Sequence, residues 1–320
     1  MVVAFAVPLP YYTVSPGPAR STEGHITVKG HRSYSSKGEV LYTTVSSRQA
    51  TAALLLQAAL DRSIDVIGEK EANPTGDREA EVKVERAEMD QSKLAALVVA
   101  LDRIGQPATI TSTGARIVEV ASDVPAARVL RTDDVIVSID GRAIGVLDEI
   151  ATVVAGHRPG ERVTMTIRRG QRTVEVGVPL ASDPDDPSRA RIGVHLTPEN
   201  QKVALPFDVD LDSGQVGGPS AGLAWTLGVI DRLTPGDLTG GKVVAVTGTI
   251  DSAGRVGPIG GIAQKAVGAK RVGATEFVYP KATSPADVAR LRSVADGLRL
   301  IPVATVDDAL KALDPTGSRH

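Results

Sequence analysis

A serine follows a glycine-rich loop directly at the start of a predicted apolar helix. Residues 212–222 read DSGQVGGPSAG, which places Ser220 in the first turn of a helix predicted over 219–233. Gly218 allows close approach by a substrate, and Pro219 is a favoured first helical residue. Free main-chain N–H groups at such a helix start can stabilise an oxyanion. The pattern is compatible with a nucleophilic serine, but on this motif alone a serine that merely occupies a first turn is the better explanation.

A serine nucleophile needs a base, and the sequence offers two candidates. His195 lies in a predicted strand with no carboxylate committed to it. Lys265 lies in a helix predicted over 262–274, where a 100° step per residue puts it on the same apolar face as Ile262. Such a lysine either extends to solvent or is desolvated with a lowered pKa. The tight segment GPIGG at 257–261, just before it, favours a site.

The composition excludes several other chemistries. The chain has no cysteine and 36 basic against 38 acidic residues, so thiolate sites are excluded and a basic nucleic-acid surface is not expected. No His/carboxylate spacing predicts a metal site, and we expect no cofactor. Residues 236–242, GDLTGGK, approach a phosphate-binding loop, but Val243 stands where Ser or Thr would hold magnesium. We interpret this segment as a turn.

The first nine residues, MVVAFAVPL, are apolar and precede Tyr11, Tyr12 and the segment SPGPARST. No run of 18 apolar residues occurs, and no basic residue precedes this one, so neither a complete membrane span nor a signal peptide is predicted. Because tyrosine favours the lipid boundary, residues 1–22 can be interpreted as the outer end of a membrane anchor and a linker. The alternative is a loosely docked N-terminal arm.

The elements that must position these groups fall into three regions. Residues 24–105 predict strands at 25–28 and 39–45 and helices at 48–61 and 89–104. From 109 onward the pattern changes to short alternating strands at 115–120, 134–139, 162–168 and 173–178, with a helix at 146–155. After 189, strands and helices alternate, which is typical of a layered α/β domain.

Residues 106–181 resemble a bacterial PDZ module, most specifically in the strand DDVIVSI followed by Asp140 and Gly141. The resemblance implies binding of extended peptides by addition to a sheet edge. By that analogy, the carboxylate-binding loop and the receiving strand are formed by Gly114, Ala115, Arg116 and Ile117. The alternative is a small β-domain that serves only as a spacer.

Residues 190–312 resemble the proteolytic domain of Lon-type endopeptidases. The resemblance rests on GPSAG at 218–222, VTGTI at 246–250 and GRVGPIGGIAQK at 254–265, in that order. It implies Ser220 as nucleophile and Lys265 as general base, with Thr247 bonded to the lysine. Two positions depart from it: Gly217 and Thr249 stand where many Lon-type sequences are acidic, so we expect a more neutral site. No segment resembles the ATPase module of Lon.

Together these patterns predict an α/β (α+β) Lon-type proteolytic domain with an inserted, β-rich PDZ module. The segments GEVL at 38–41 and MDQS at 89–92 weakly resemble earlier parts of the protease domain. The expected divisions are an anchor remnant and linker (1–22), an N-terminal α/β part of the protease (23–105), the PDZ module (106–182), a linker (183–189), the proteolytic domain (190–315) and a tail (316–320).

The arrangement is similar to that of the PDZ-containing Lon-like proteases of bacteria, which are membrane-anchored and face outward. It implies an ATP-independent serine endopeptidase that acts on polypeptides. A homo-oligomer through the protease domain is compatible with this arrangement, and the charge balance predicts no nucleic-acid partner. The alternative function is a catalytically silent, PDZ-based scaffold that binds or regulates peptides. Retention of both Ser220 and Lys265 favours the enzyme.

Overall fold

The computed structural model describes residues 7–72, 78–106, 108–184, 186–214 and 216–313. They form two compact units: one contains the described residues up to 108 and from 205 onward, and the other contains those between 109 and 204. The first, which we call the protease unit after the resemblance given above, is therefore interrupted in sequence by the second, which we call the PDZ unit for the same reason. The expected tail at 316–320 and the first six residues of the expected anchor lie outside the described residues.

In chain order, the first part of the protease unit contains β1 (Tyr11–Ser21), β2 (Ile26–Lys29), β3 (Glu39–Gln49), α1 (Ala52–Leu60), β4 (Asp65–Gly68), α2 (Glu69–Ala72) and α3 (Arg78–Arg103). The PDZ unit contains β5 (Thr109–Thr111), β6 (Ala115–Val120), β7 (Val135–Ile139), β8 (Arg142–Ala143), α4 (Leu147–Val154), β9 (Arg162–Arg169), β10 (Arg172–Pro179), β11 (Ala181–Ser182), β12 (Ala190–Arg191), β13 (Val194–Pro198) and β14 (Lys202–Ala204). The chain then returns to the protease unit as β15 (Asp208–Leu211), α5 (Gly222–Leu233), β16 (Val243–Val246), β17 (Thr249–Ile250), β18 (Val256–Gly257), α6 (Ile262–Arg271), β19 (Glu276–Pro280), α7 (Pro285–Val294), β20 (Arg299–Val303) and α8 (Val306–Leu313).

A six-stranded mixed sheet forms the centre of the protease unit, in the order β20, β19, β16, β3, β1, β4. The β16 strand runs parallel to β3 and β19, whereas β1 is antiparallel to both β3 and β4. One core cluster joins α3, α5 and α8 to this sheet, and a second joins α6 and α7 to it. The two helices that matter for the site, α5 and α6, are therefore fixed against the same sheet.

The expected linker before residue 22 is wrong, because residues 11–21 form an inner strand of the sheet. The prolines are tolerated because the register of β1 against β3 shifts between Pro16 and Ala19, which is a bulge. Gly17 is required at this bulge, since a Cβ there would lie 2.4 Å from the Thr44 hydroxyl oxygen. Tyr12 is buried within the unit, so only Tyr11 of the pair is exposed.

Element bounds also differ from the sequence predictions. The helix expected at 48–61 begins at Ala52, because β3 continues to Gln49 and the Thr51 side chain accepts from the Leu54 N–H as the N-cap. The helix expected from Met89 begins at Arg78, in the charged stretch that had no apolar period. The strand expected at 243–250 is two short strands, separated at Thr247 and Gly248.

The PDZ unit is a sheet in the order β10, β9, β7, β6, β13, with α4 contributing to its core. Asp134 of the DDVI motif is buried and accepts two hydrogen bonds from Arg169, both at 2.7 Å, plus one from the Arg131 N–H. These bonds hold the pKa of Asp134 below its ordinary value despite burial. The Asp134 side chain thus fixes the start of β7 by bonding to the Arg169 side chain and to the Arg131 main chain.

The expected boundaries at 183–189 and 190 require correction. Residues 183–189 connect β11 to β12, which pair with each other, so the segment is a hairpin loop rather than a linker between domains. The β13 strand pairs with β6 and thereby belongs to the PDZ sheet. The protease unit resumes only at Leu205. Among the described residues, no helix is both long enough and apolar enough to cross a membrane.

Candidate active site

The Ser220 loop is held at the start of α5. Gly218, at φ 79°, precedes a single 3₁₀ turn of Pro219–Ala221 that leads directly into the helix. A positive φ of this size favours glycine, which explains the residue type at this position. The loop is also tied to the sheet, because the Gly248 N–H donates to the Ser220 carbonyl at 2.9 Å and the Leu223 N–H donates to the Gly248 carbonyl at 3.0 Å.

Lys265 reaches Ser220 from α6. Its Nζ lies 2.8 Å from Ser220 Oγ, and the residue is only 3% exposed. Burial lowers the pKa of Lys265 from 10.5 to about 7. A lysine that is neutral near pH 7 can accept a proton from a serine hydroxyl, which an ordinary surface lysine cannot. Helix α6 begins directly after Gly261, which adopts a left-handed φ of 65°, and this start determines where Lys265 lies along the helix.

Thr247 completes the contacts between the lysine and the serine. It is fully buried at the end of β16; Lys265 Nζ lies 3.3 Å from its Oγ1, which in turn donates to the Ser220 carbonyl at 3.3 Å. The structure thus brings together Ser220, Lys265, Thr247, Gly218 and Pro219, all of which the sequence singled out. The catalytic roles of these residues are considered under the proposed function.

Helix α3 supplies contacts to the loop that sequence reasoning did not identify. The hydroxyl of buried Ser92 donates to the Pro219 carbonyl at 2.9 Å, and the Gly218 N–H donates to the Glu85 carbonyl at 2.8 Å. A Cβ on Gly217 would lie 2.9 Å from the Glu85 Cβ and 3.2 Å from a Glu85 carboxylate oxygen. The carboxylate of Glu85 on α3 therefore lies beside Gly217, although position 217 itself carries no charge. The weak resemblance of the MDQS segment at 89–92 to the protease domain was the one sequence signal for these contacts.

The predicted peptide-receiving strand of the PDZ unit is wrong. Ala115, Arg116 and Ile117 lie on β6, which pairs with β7 on one side and β13 on the other. An inner strand has no free edge to accept a peptide. Gly114 packs so closely that a Cβ would lie 2.5 Å from the Ile136 carbonyl oxygen, so it serves strand packing. The sheet edge on this side is β13.

Two other sequence candidates lie on other elements than Ser220 and Lys265. His195 is exposed on β13 of the PDZ unit, whereas Ser220 belongs to the protease unit. The glycine-rich segment 236–242 is a turn that leads into β16. Its Lys242 forms an ion pair of 2.6 Å with buried Glu276, which gives that lysine a structural partner.

Comparison with known proteins identifies both parts of the chain. A PDZ-domain family model matches residues 82–180, and a model of the Lon protease (S16) C-terminal proteolytic domain matches residues 205–314. One part of the chain is therefore similar to PDZ domains and the other to the proteolytic domain of Lon proteases. The PDZ match begins within α3, whereas the compact PDZ unit begins at Thr109.

Individual relatives cover parts of the chain. It is 43% identical over 95 residues to the Lon protease of Azospirillum brasilense, which is 29% of this chain and 11% of that protein. It is 33% identical over 141 residues to Lon protease 1 of Bacillus subtilis, which is 44% and 16% respectively. The chain thus matches less than a fifth of these two relatives. The PDZ domain of the SdrC-like protein from Listeria monocytogenes aligns over 28% of this chain and 93% of its own, at 28% identity and a TM-score of 0.26.

Proposed function

We propose that the chain is a serine endopeptidase that hydrolyses peptide bonds of polypeptides, with Ser220 as nucleophile and Lys265 as general base. The observation that carries this proposal is the 2.8 Å contact between Ser220 Oγ and a buried lysine Nζ. A structural serine at a helix start needs no such partner. A lysine is rarely buried without an acid to pair with, because desolvation penalises its charged form.

The steps follow from this geometry. Neutral Lys265 takes the proton of the Ser220 hydroxyl while Oγ attacks the substrate carbonyl carbon, and main-chain N–H groups of the loop stabilise the resulting oxyanion. The lysine then gives that proton to the leaving amine, which leaves an acyl-enzyme on Ser220. Water then attacks the ester carbon and gives a proton to Lys265, the bond from that carbon to Ser220 Oγ breaks, and Lys265 returns the proton to Oγ as the carboxylic acid product leaves. Thr247 keeps Nζ directed at Oγ.

We further propose that catalysis needs no ATP. The dyad is already at hydrogen-bond distance within the chain, so no nucleotide-driven rearrangement is required to assemble it. Peptide cleavage by the purified chain in the absence of nucleotide, unchanged on adding ATP and magnesium, tests this. Cleavage that appears only with ATP would contradict it.

Covalent labelling distinguishes the enzyme from a catalytically silent scaffold. A peptidyl phosphonate ester should modify Ser220 of the wild-type chain, and a candidate peptide should slow the modification. Ser220→Ala should remain unlabelled, while Ser213→Ala, a buried serine seven positions earlier, should label normally. Absence of any label on wild-type protein that still binds peptide would favour the scaffold.

For the PDZ unit, we propose that extended peptide ends bind along the free edge of β13, facing α4. The main-chain groups of Gly193 and Glu199 form hydrogen bonds to residues that directly flank β6. Because main-chain groups point alternately to the two sides along a strand, those of Val194 and Leu196 point outward, away from β6. Both side chains are partly buried and, with Leu147 of α4, give this edge an apolar lining. Such an edge suits addition of a peptide strand.

The location and assembly of the chain are also proposals. The apolar residues 1–9 support a membrane anchor that holds both units outside the cytoplasm, and fractionation of cells carrying the full genomic locus tests it. A freely soluble cytoplasmic product would refute both points. Self-association through the protease unit is supported by α1, in which Leu56 and Leu60 are 58% and 81% exposed. Sedimentation of a Leu56→Gln/Leu60→Gln variant against wild type tests that contact.

A further inference from the structure

Among the described residues, the N–H of Ser220 at the start of the helix has no hydrogen-bond acceptor. The 3₁₀ turn pairs the Gly222 N–H with the Pro219 carbonyl, and no described acceptor pairs with the N–H of Ser220 itself. Under the proposed function, this group lies on the same residue as the attacking Oγ and is available to donate to the developing oxyanion. The direction of this N–H bond therefore affects the rate of peptide cleavage, because only a donor directed at the oxyanion stabilises it.

That direction is set by the preceding carbonyl. Pro219 C=O and Ser220 N–H belong to one planar trans peptide group, so the two bonds point in opposite directions. The carbonyl points toward α3, where the Ser92 hydroxyl donates to it at 2.9 Å. The N–H must then point away from α3.

The Ser92 contact is built into the packing. Ser92 is buried, and a Cβ on Gly222 would lie 2.6 Å from its Oγ, so glycine at that position leaves room for the hydroxyl. The Gly218 N–H bonds to the Glu85 carbonyl two turns earlier on the same helix. Helix α3 thus holds the loop at two peptide groups, the one before Gly218 and the one after Pro219.

We propose that Ser92 is a positioning residue that aims the Ser220 N–H at the substrate oxyanion. This rests on the proposed function and adds a residue to it that touches no reacting atom. Removal of the Ser92 hydroxyl leaves the Pro219 carbonyl its helical bond to Gly222, so the loop keeps its fold while the peptide plane gains freedom to rotate. Because the oxyanion exists only in the transition state, the variant should lose transition-state stabilisation and keep its affinity for the bound substrate.

The test compares Ser92→Ala with wild type in the full chain. We expect kcat to fall roughly 10- to 100-fold, less than the 10²- to 10³-fold typical of deleting an oxyanion donor, with KM changed by less than about twofold. The affinity for a peptide aldehyde, whose adduct places an oxygen at the oxyanion position, should fall by the same factor as kcat/KM. The affinity for a cleaved product peptide should not change.

Thr22→Val is the matched control, because the buried Thr22 hydroxyl donates to the Val40 carbonyl at 3.0 Å in the same unit. It should lower the melting temperature about as much as Ser92→Ala and leave kcat unchanged. If Ser92→Ala does not fold, Ser92→Cys, with a weaker donor, should show an intermediate kcat. Wild-type kcat in a Ser92 variant, or an equal loss of aldehyde and product affinity, would overturn the proposal. Cleavage by Ser220→Ala would instead overturn the proposed function.

Discussion

Lys265 Nζ and Ser220 Oγ lie 2.8 Å apart although their residues are 45 positions apart in the chain, on α6 and at the start of α5. Both helices pack against the central sheet, so the pair is held by the core of the protease unit and not by a mobile loop. Among the described residues, the hydrogen-bond partners of Lys265 Nζ are the hydroxyl oxygens of Ser220 and Thr247. Burial lowers the pKa of Lys265, and no carboxylate of the described residues bonds to Nζ to offset that effect.

Replacing Ser220 by alanine should abolish peptide cleavage and leave the fold intact. The change removes the nucleophile and one hydrogen bond of Lys265, while the main-chain bonds of the loop to Gly248 and Glu85 remain. Trp225, the single tryptophan, is buried in α5, so its fluorescence reports on the folding of this unit. A variant that unfolds like wild type but still cleaves peptides would rule out Ser220 as nucleophile.

Activity should rise with pH through about 7, because the base must be neutral and the pKa of Lys265 is lowered to about 7. Lys265→Arg should be inactive at every pH, since arginine cannot deprotonate in this range. The measurement is kcat/KM against pH for wild type, with phosphonate labelling of the variant as a second readout. An active Lys265→Arg chain would require a different base.

Stability should depend on pH through the same group. In the folded chain Lys265 loses its proton above pH about 7, whereas in the unfolded chain it keeps the proton until near 10.5. Between these values the unfolded state binds more protons, so the free energy of unfolding rises with pH, by up to about 1.4 kcal/mol per pH unit. The cost of burying the charged lysine is fully present at lower pH.

Lys265→Met removes this dependence. It should be more stable than wild type below pH 7, and the difference should shrink as pH rises toward 10. Denaturant unfolding followed by Trp225 fluorescence at several pH values measures it for both proteins. Parallel stability curves for the two chains would show that the pKa of Lys265 is not lowered.

The dyad was predictable from sequence because its signals are local. Glycine, proline and serine mark the start of α5, and helical periodicity places Lys265 on a buried face. The distance between α5 and α6 is set by how both helices pack against the central sheet, and the sequence alone does not predict that packing. Ser92 and Glu85 were missed because they act through tertiary contacts, by one hydroxyl and one main-chain carbonyl, which leave no pattern along the chain.

The strand errors have a common cause. Residues 11–21 contain two prolines and a glycine, so local propensity predicts a linker, but a bulge lets this segment pair between β3 and β4. The β13 strand lies after a hairpin loop rich in proline and acidic residues, and its pairing with β6 spans more than 70 positions. Long-range pairing of this kind overrides local composition.

Peptide binding by the PDZ unit should depend on the outward N–H of Val194. Val194→Pro removes that donor at a sheet edge, where proline is tolerated, and keeps a similar side-chain volume. Addition of a peptide strand requires the lost N–H, so affinity for an extended C-terminal peptide should fall about tenfold or more. Fluorescence anisotropy of labelled peptides with the full chain measures it.

The opposite edge of the same sheet supplies the control. Glu175 on β10 is exposed, and the hairpin register with β9 directs its main-chain groups away from β9. Glu175→Pro therefore makes the same chemical change at an edge that lies four strands from β13, and it should bind the peptide like wild type. Equal losses in both variants would indicate general disruption of the sheet. Unchanged binding in Val194→Pro, with loss in Glu175→Pro, would move the peptide site to β10.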